Sequence, residues 1–316
     1  MNKRKVLNII NNQRILIALV FLILLLSLLS DTFFSYENLI NILMQISIEG
    51  IVAIGITVLM LMGEIDLSVG FNMALVGTVI ILLENSGAGL LIAIVCGIVT
   101  GTFVGLVNGL IVTRLKLPSL PVTLGMMIAL QGVVLWLTNT ETVKGLDERF
   151  IILGNGSFYT IPFAVIIFIV ILLIFFVIIG RTVYGRNIYA IGGNQTASRF
   201  FGINVEKTKL ISFIIMGFLV GIAGLILTSR LNIASAVLGR DTPIFVITAV
   251  LLGGTSLWGG EGGIVNTFKG ILLLGVIANG LRMAQIPVTW HILIKGLLLI
   301  FIVSIDGLYV RRAKFR

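Results

Sequence analysis

The sequence of 316 residues has few of the residues from which water-soluble proteins and most enzymes are built. Only 11% of the residues are charged, whereas soluble domains carry about 25%. One histidine, His291, and one cysteine, Cys96, exclude an intrachain disulfide and a thiol metal cluster. No His/Glu metal pair, GxSxG turn or Ser–His arrangement is present, so an enzyme is disfavoured. We expect Cys96 to be a small buried side chain and His291 to be a packing or interface residue.

Apolar residues dominate the rest of the chain. Hydrophobic residues make up 58% of it, and the mean hydropathy is +1.16. A helix needs roughly 20 apolar residues to cross the hydrocarbon core of a bilayer. Runs of that kind recur from Ile15 onward, with no polar stretch long enough for a soluble domain. These features predict one all-α, polytopic integral membrane domain over residues 1–316.

The apolar runs predict about ten transmembrane helices, which would place both termini on one side of the membrane. The first run has the basic flank of a signal peptide but no small-x-small cleavage site, so we interpret it as a retained span. Two of the segments could be re-entrant without changing this arrangement. The expected spans lie near 15–30, 40–62, 67–84, 89–112, 119–138, 162–180, 209–228, 243–256, 264–281 and 290–305.

The basic residues orient these spans. Most of them lie in the loops and tails on the side of the termini: Lys3, Arg4, Lys5, Arg14, Arg114, Lys116, Arg181, Arg186, Arg199, Lys207, Lys209, Arg311, Arg312, Lys314 and Arg316. The opposite side holds fewer, and two lie within spans: Lys144, Arg149, Arg230, Arg240 and Arg282, then Lys269 and Lys295. Because cytoplasmic loops carry an excess of Lys and Arg, both termini are predicted to be cytoplasmic. The positions of the basic residues therefore explain the net charge of +9 by membrane orientation, and nucleic-acid binding is not needed to account for it.

Short motifs recur at similar offsets along the chain and suggest an internal repeat. The motif NGL occurs in Val104–Leu110 and in Leu274–Leu281, and each copy is followed by PVT. The stretch IDLSVG, Ile65–Gly70, corresponds to IASAVLG, Ile233–Gly239. Because five crossings separate the copies, the second copy would be inverted, which is a common design of transport proteins. We therefore expect two inverted half-repeats, about 36–138 and 209–305, with broken or re-entrant segments.

Four glycines recur every four residues within one predicted span: Gly97, Gly101, Gly105 and Gly109. On a helix they form a smooth stripe that lets another backbone approach closely. We expect this stripe to serve tight packing within the bundle, and we favour that role over a moving pore wall.

The stretch GEIDLSVG, Gly63–Gly70, places two acids between two apolar runs. On a helix Glu64 and Asp66 would diverge by about 200°, so they cannot share a face. The glycines instead predict a break between two spans. There Asp66 would cap the next helix by accepting backbone N–H groups, with help from Ser68, and this role is favoured over contact with a substrate. Glu64 must be paired or face water, such as the cytoplasmic solvent.

Three motifs, in this order along a chain with ten predicted spans, resemble a known family. GEIDLSVG is similar to the GGIDLSVG signature of permease subunits from bacterial ATP-binding-cassette importers of the ribose/xylose/galactose type. YAIGGNQTASRFFGI, Tyr189–Ile203, and AVLLGGTSLWGGEGG, Ala249–Gly263, resemble the family's cytoplasmic loop and its second glycine-rich turn. The resemblance covers nearly the whole chain. It departs at Glu64, where the family usually has glycine, so either the substrate preference or the local backbone could differ.

The chain has no GxxxxGK[ST] motif, so the energy of ATP would have to come from a separate ATPase subunit that carries ATP and Mg. This chain itself is expected to bind no cofactor and no metal. The basic loop 181–208 is the expected docking site for the ATPase. Asn194 would cap a short helix, Gln195–Phe201, that ends at Gly202. Phe200 and Phe201 would present an aromatic anchor, with Arg199 at its rim. The resemblance implies that this loop is the family's coupling segment, matched here by Gly193, Asn194, Ala197, Gly202 and Ile203.

A path for a neutral sugar needs hydrogen-bonding groups and little fixed charge. The candidate path residues are polar groups at membrane depth or beside the break: Glu64, Asp66, Ser68, Asn72, Asn108, Thr123, Gln131, Thr248 and Asn279. For each one singly, an interhelical hydrogen bond is an equally good interpretation.

The resemblance also implies partners and a location. It implies an extracytoplasmic sugar-binding protein, a second permease subunit (a self copy or a related chain) and a multi-pass position in the lipid of the bacterial cytoplasmic membrane. The outer loops 31–38, 139–160 and 230–241 are long enough to receive the binding protein. Ion pairs across that contact could involve Glu141, Asp147, Glu148, Arg230, Arg240 and Asp241.

Two other transport functions stay open. An ion-gradient-coupled secondary transporter would need intramembrane acids, and the candidates are Glu49, Glu64 and Asp66, all expected near one end of the second span or its break. A nucleoside or branched-chain amino-acid importer permease would share the general fold. The IDLSVG signature favours monosaccharides, pentoses first.

Overall fold

The computed structural model describes residues 14–30 and 32–314, and nearly all regular structure in that part of the chain is helical. The basic residues Lys3, Arg4, Lys5 and Arg316 used above lie outside it. The helices are α1 Arg14–Leu29, α2 Tyr36–Met60, α3 Val69–Asn85, α4 Leu90–Arg114, α5 Ser119–Leu137, α6 Glu148–Asn155, α7 Phe163–Arg181, α8 Val183–Gly193, α9 Gln195–Phe200, α10 Val205–Leu231, α11 Thr242–Leu252, α12 Ile264–Met283 and α13 Val288–Lys314. Four two-residue strands are β1 Val143–Lys144, β2 Ser157–Phe158, β3 Ile161–Pro162 and β4 Ile233–Ala234.

Six of these helices are long and apolar enough to cross a bilayer: α2, α4, α5, α7, α10 and α12. Four shorter apolar stretches lie at Ile15–Leu28, Val69–Asn85, Thr242–Leu252 and Thr289–Ser304. A helix therefore stands at every predicted span. The predicted span 243–256 is too long, because α11 ends at Leu252 and the chain turns through Gly254 and Gly259, whose φ angles of +94° and +86° are rarely adopted by other residues.

Helix α2 is the centre of the bundle. Almost every residue of its second half is buried, on all sides of the helix. Helices α7, α10, α11 and α12 surround it, and Thr57 on α2 shares a 2.5 Å hydrogen bond with Thr267 on α12. A helix that is apolar all round is expected to be enclosed in this way.

The predicted glycine stripe packs α4 against α10, and this expectation is confirmed. A Cβ atom added to Gly101 would lie 3.0 Å from the Cα of Gly221, and one added to Gly105 would lie 2.9 Å from the Cα of Gly217. Backbone contact at this distance is open only to residues without a side chain. Cys96, expected to be buried on the same helix, is only partly buried.

Two connections break helices inside the bundle. The first, residues 61–68, joins α2 to α3 through Gly63, which has a φ of +74°, so the predicted break is confirmed. The second, residues 232–241, joins α10 to the short helix α11. The second connection meets the start of α3, where Gly239 and Gly70 contact each other through their backbones, with 2.7 Å between the carbonyl oxygen of Gly70 and a Cβ built on Gly239.

The two longer outer loops of the prediction form one structure. Strand β1 pairs with β4 in antiparallel register, with Val143 opposite Ala234. Helix α6 is capped by Asp147, whose carboxylate accepts the backbone N–H of Arg149 at 2.8 Å. Hydrogen bonds from the Arg149 guanidinium hold the pKa of this exposed carboxyl below its usual range. Asp147 thus has an intrachain partner, Arg149.

Candidate functional site

The first break is held by a buried polar cluster. Asp66 Oδ1 accepts the backbone N–H of Ser68 at 2.8 Å and its hydroxyl at 2.6 Å. Asn108 on α4 donates to Ser68 Oγ at 2.9 Å. Since Ser68 is the N-cap residue of α3, Asp66 satisfies a free N–H at the helix start, as predicted.

Helix α5 supports the same break from the other side. Ser119 Oγ accepts the backbone N–H of Ile65 at 3.1 Å. Thr123 donates to the Ser119 carbonyl at 2.9 Å and lies 3.4 Å from that of Ile65. The polar groups of the break therefore bond with α4 and α5 within an apolar bundle, while Asn108 Oδ1 is buried without a hydrogen-bond partner.

Glu64 forms an ion pair with Lys209, a residue that sequence reasoning counted among the loop charges. Lys209 lies in α10, and both side chains are only 11% exposed. Its ammonium group also donates to Gln195 Oε1 of α9 at 3.1 Å. The backbone of Glu64 is not among those with positive φ, so position 64 does not require the glycine that the resembling family usually has there.

The Glu64–Lys209 pair borders a cavity of about 360 Å³. Its lining comes from the first break, the turn between α4 and α5, helix α9 and the start of α10, and includes Lys116, Arg199 and Glu206. Arg199 donates to Glu206 at 2.5 Å. This cavity, called the inner cavity below, joins the break to the basic segment α8–α9.

Helix α9 has the predicted local structure, whereas helix α8, Val183–Gly193, lies in what was expected to be a loop. Asn194 Oδ1 accepts the N–H of Ala197 at 2.9 Å and so caps α9. The helix ends one residue earlier than predicted, and Gly202 follows in the left-handed region with a φ of +80°. Phe200 and Phe201 are each 87% exposed, as an aromatic anchor would be.

The segment α8–α9 also contacts the first break and the glycine-rich turn 253–263 between α11 and α12. Gly192 packs directly on the carbonyl of Leu61, which accepts the N–H of Gly260 at 2.9 Å. Tyr189 donates to the carbonyl of Gly262 at 2.9 Å. Contacts with residues 61 and 260–262 mean that a displacement of α8 would act on the end of α2 and on the start of α12 together.

The other predicted path residues lie apart from the break cluster. Asn72 donates to the Gly101 carbonyl at 3.2 Å, and Thr248 donates to Ile244 within its own helix at 2.6 Å. Gln131 is partly buried on α5. Asn279 on α12 exchanges hydrogen bonds with Asn38 on α2, at 2.7 and 3.3 Å. The structure thus brings together Asp66, Ser68, Asn108 and Thr123, and separates the rest.

A second cavity, called the outer cavity below, has a volume of about 450 Å³. Helices α2, α3, α10, α11, α12 and α13 contribute to its lining, which includes Gln45, Glu49, Met73, Arg230, Arg240, Asp241, Thr242, Phe245, Arg282 and Lys295. An adjoining cavity shares Gln45, Arg230 and Arg282 and is also lined by Asn38 and Asn279. Arg230 and Arg282 place this cleft beside the C-terminal ends of α10 and α12.

Glu49 corrects one expectation, because it lies in the middle of α2 and not near its end or its break. The outer cavity, to whose lining Glu49 contributes, carries four cationic and two acidic side chains. Sequence reasoning missed this grouping because its members lie far apart in the chain. The sequence feature that could have revealed this grouping is a charged residue inside each of two apolar runs, Glu49 in one and Lys295 in the other.

Among the residues described, no group of three or more His, Cys, Asp or Glu side chains could hold a metal ion. Helix breaks lined by polar groups inside an apolar bundle are typical of membrane transport proteins, and the structure points to this class. The family described as branched-chain amino acid transport system / permease component matches residues 38–303. The chain belongs to this family of transport permeases, which are not enzymes.

Curated relatives match the chain over nearly its whole length. It is 38% identical over 299 residues to the ribose import permease protein of Escherichia coli strain K12, covering 93% of each chain. It is 36% identical to the ribose import permease protein of Bacillus subtilis strain 168, covering 92% of this chain and 91% of the relative. Identity to the L-arabinose ABC transporter permease protein of Azospirillum brasilense is 32%, with 94% and 88% covered. No solved structure matches the chain.

Proposed function

We propose that this chain is the permease subunit of an ATP-binding-cassette importer that carries a monosaccharide across the bacterial cytoplasmic membrane. Its relatives are named as ribose and arabinose permeases, and these names support a sugar as the substrate. The observation that carries the mechanism is the position of α8–α9, an exposed capped segment in contact with the first break and with the glycine-rich turn 253–263. A partner that moves this segment would move the helices on which the break cluster and the inner cavity depend.

The arrangement in the membrane is part of the proposal. Ten crossings with both termini in the cytoplasm place α8–α9 on the cytoplasmic side and the outer cavity on the other. Two inverted half-repeats, α2–α5 and α10–α13, are supported by similar contacts: α3 packs on α4 and α5 as α11 packs on α12 and α13. The corresponding glycines, Gly70 and Gly239, touch at the centre.

The partners follow from the same function. A cytoplasmic ATPase subunit would bind ATP and Mg²⁺ and receive α9, while this chain would bind no cofactor. An extracytoplasmic sugar-binding protein would deliver the substrate to the outer loops. A second permease subunit, either a self copy or a related chain, would complete the path. Closure of the ATPase dimer would draw the two α9 segments together, so that the two subunits rock and open the path outward.

The ATPase contact is tested by Phe201→Asp. A charge at the centre of an aromatic anchor disrupts burial in the partner's groove, so co-purification with the ATPase should be lost while membrane insertion is retained. The control is Tyr159→Asp, because Tyr159 is 89% exposed and lies outside α8–α9. Undiminished co-purification of the Phe201→Asp variant would remove the assignment of α9.

The substrate class is tested by uptake into proteoliposomes that contain the permease, the ATPase and the binding protein. Labelled pentoses and hexoses should accumulate in the presence of ATP, whereas leucine and nucleosides should not. Accumulation of leucine without any sugar would replace the monosaccharide proposal with the amino-acid function in the family's description.

A further inference from the structure

The outer cavity has an excess of positive charge at membrane depth. Four cationic side chains line it, Arg230, Arg240, Arg282 and Lys295, against the two acids Glu49 and Asp241. Glu49 stands about 20 Å along α2 from its first residue, at a rise of 1.5 Å per residue. The charges therefore extend from the C-terminal ends of α10 and α12 to the middle of α2.

These charges form no close ion pairs with one another among the described residues. In residues 14–30 and 32–314, the ion pairs within 4.0 Å are Arg149–Asp147, Arg199–Glu206 and Lys209–Glu64, none of which involves the outer cavity. Lys295 instead has its ammonium group 5.1 Å from the centre of the Phe245 ring. One carboxylate oxygen of Glu49 is buried without a hydrogen-bond partner.

The start of α11 adds to the positive potential. Asp241 and Thr242, its first residues, line the cavity, and the side chain of Asp241 does not cap the helix. The N-terminus of a helix carries a partial positive charge, and broken helices in transporters direct this end at anionic substrate groups. Helix α11 therefore presents its positive end where the four cationic side chains converge.

A neutral sugar would leave the excess positive charge of the outer cavity uncompensated. Charged groups at membrane depth are costly unless they are paired or hydrated. A monosaccharide with one carboxylate would place its negative charge among the Arg and Lys side chains, and its hydroxyl groups could donate to Glu49 and bond with Gln45 and Thr242. We infer that the outer cavity selects an anionic monosaccharide, a sugar acid such as a uronate. This inference rests on the proposed function and narrows its substrate class.

The test uses the complete importer in proteoliposomes and two matched sugar series. D-xylose, D-glucose and D-glucuronate differ only in the group on C5, which is H, CH2OH or COO⁻. L-arabinose, D-galactose and D-galacturonate differ in the same way. In at least one series, the uronate should be taken up with a higher kcat/KM than both of its neutral partners. Faster uptake of the neutral sugars in both series would overturn the inference.

Substitution of a cavity cation distinguishes substrate selection by the permease from substrate selection by the binding protein. Arg282→Gln should lower uronate uptake about ten- to a hundredfold, the range for loss of a charge-assisted hydrogen bond, and change neutral uptake less than about twofold. Arg282→Lys keeps the charge and should retain most uronate uptake, and Arg149→Gln, outside the cavity, is the matched control. An equal loss for neutral and acidic sugars in Arg282→Gln would show that the cations dock the binding protein, which overturns the inference. ATP-driven uptake of leucine with no sugar of either kind would instead reject the proposed function.

Discussion

Replacing Glu64 with glutamine removes one charge from a pair that links the first break to helix α9 through Gln195. Lys209 would keep its charge with a side chain only 11% exposed and with Gln195 as its remaining partner. Breaking a fully buried pair costs about 3 to 5 kcal/mol, and loss of one charge-assisted hydrogen bond costs about 1.5 to 3 kcal/mol. Because the inner cavity gives water some access, we expect the lower range, about 2 to 3 kcal/mol.

A double-mutant cycle isolates this interaction. Glu64→Gln and Lys209→Met should each lower the thermal stability of the detergent-purified complex, and the double variant should be less destabilised than the sum of the two. The matched control is Glu206→Gln, which breaks a pair whose side chains are 48% and 44% exposed and should cost less than about 1 kcal/mol. Equal effects of Glu64→Gln and Glu206→Gln, with additive losses in the cycle, would refute the buried link.

Two further predictions concern packing and capping. Gly105→Leu would place a side chain against the backbone of Gly217 and should destabilise the bundle by about 3 kcal/mol or more. The control is Gly132→Leu, at a position where an added Cβ would have no atom within 4 Å, and it should leave the melting temperature unchanged. Equal melting temperatures of the two variants would contradict the close packing of Gly105. Asn194→Ala removes the cap on Ala197 and should lower the local stability of α9 by about 1 kcal/mol, seen as faster amide exchange in residues 195–200; unchanged exchange there would contradict the capping role.

Local rules were sufficient to predict much of the fold and of the coupling segment. Apolar runs located a helix at every expected span, because burial in lipid requires long apolar helices. Gly63 and Gly202 marked chain reversals that few other residues adopt. Asn194 and Asp66 were recognised as capping residues from their place before a helix, since such bonds span only a few residues.

Contacts between distant parts of the chain could not be predicted in this way. Lys209 was assigned to a loop because its partner, Glu64, lies 145 residues away. Glu49 was placed near a break because nothing local shows that it faces Arg282 and Lys295 across the outer cavity. The hydroxyl of Thr248 donates a hydrogen bond to the Ile244 carbonyl within its own helix. The hydrophobic pattern of the sequence cannot distinguish a threonine with this bond from one that lines a substrate path.

The source of energy tests the central claim most directly. Purified permease is reconstituted either alone or with its ATPase and binding protein, and labelled sugar uptake is measured with ATP or with an imposed proton or sodium gradient. Uphill uptake should occur only in the complete complex and only with hydrolysable ATP. Accumulation driven by an ion gradient in vesicles that contain this chain alone would contradict the account.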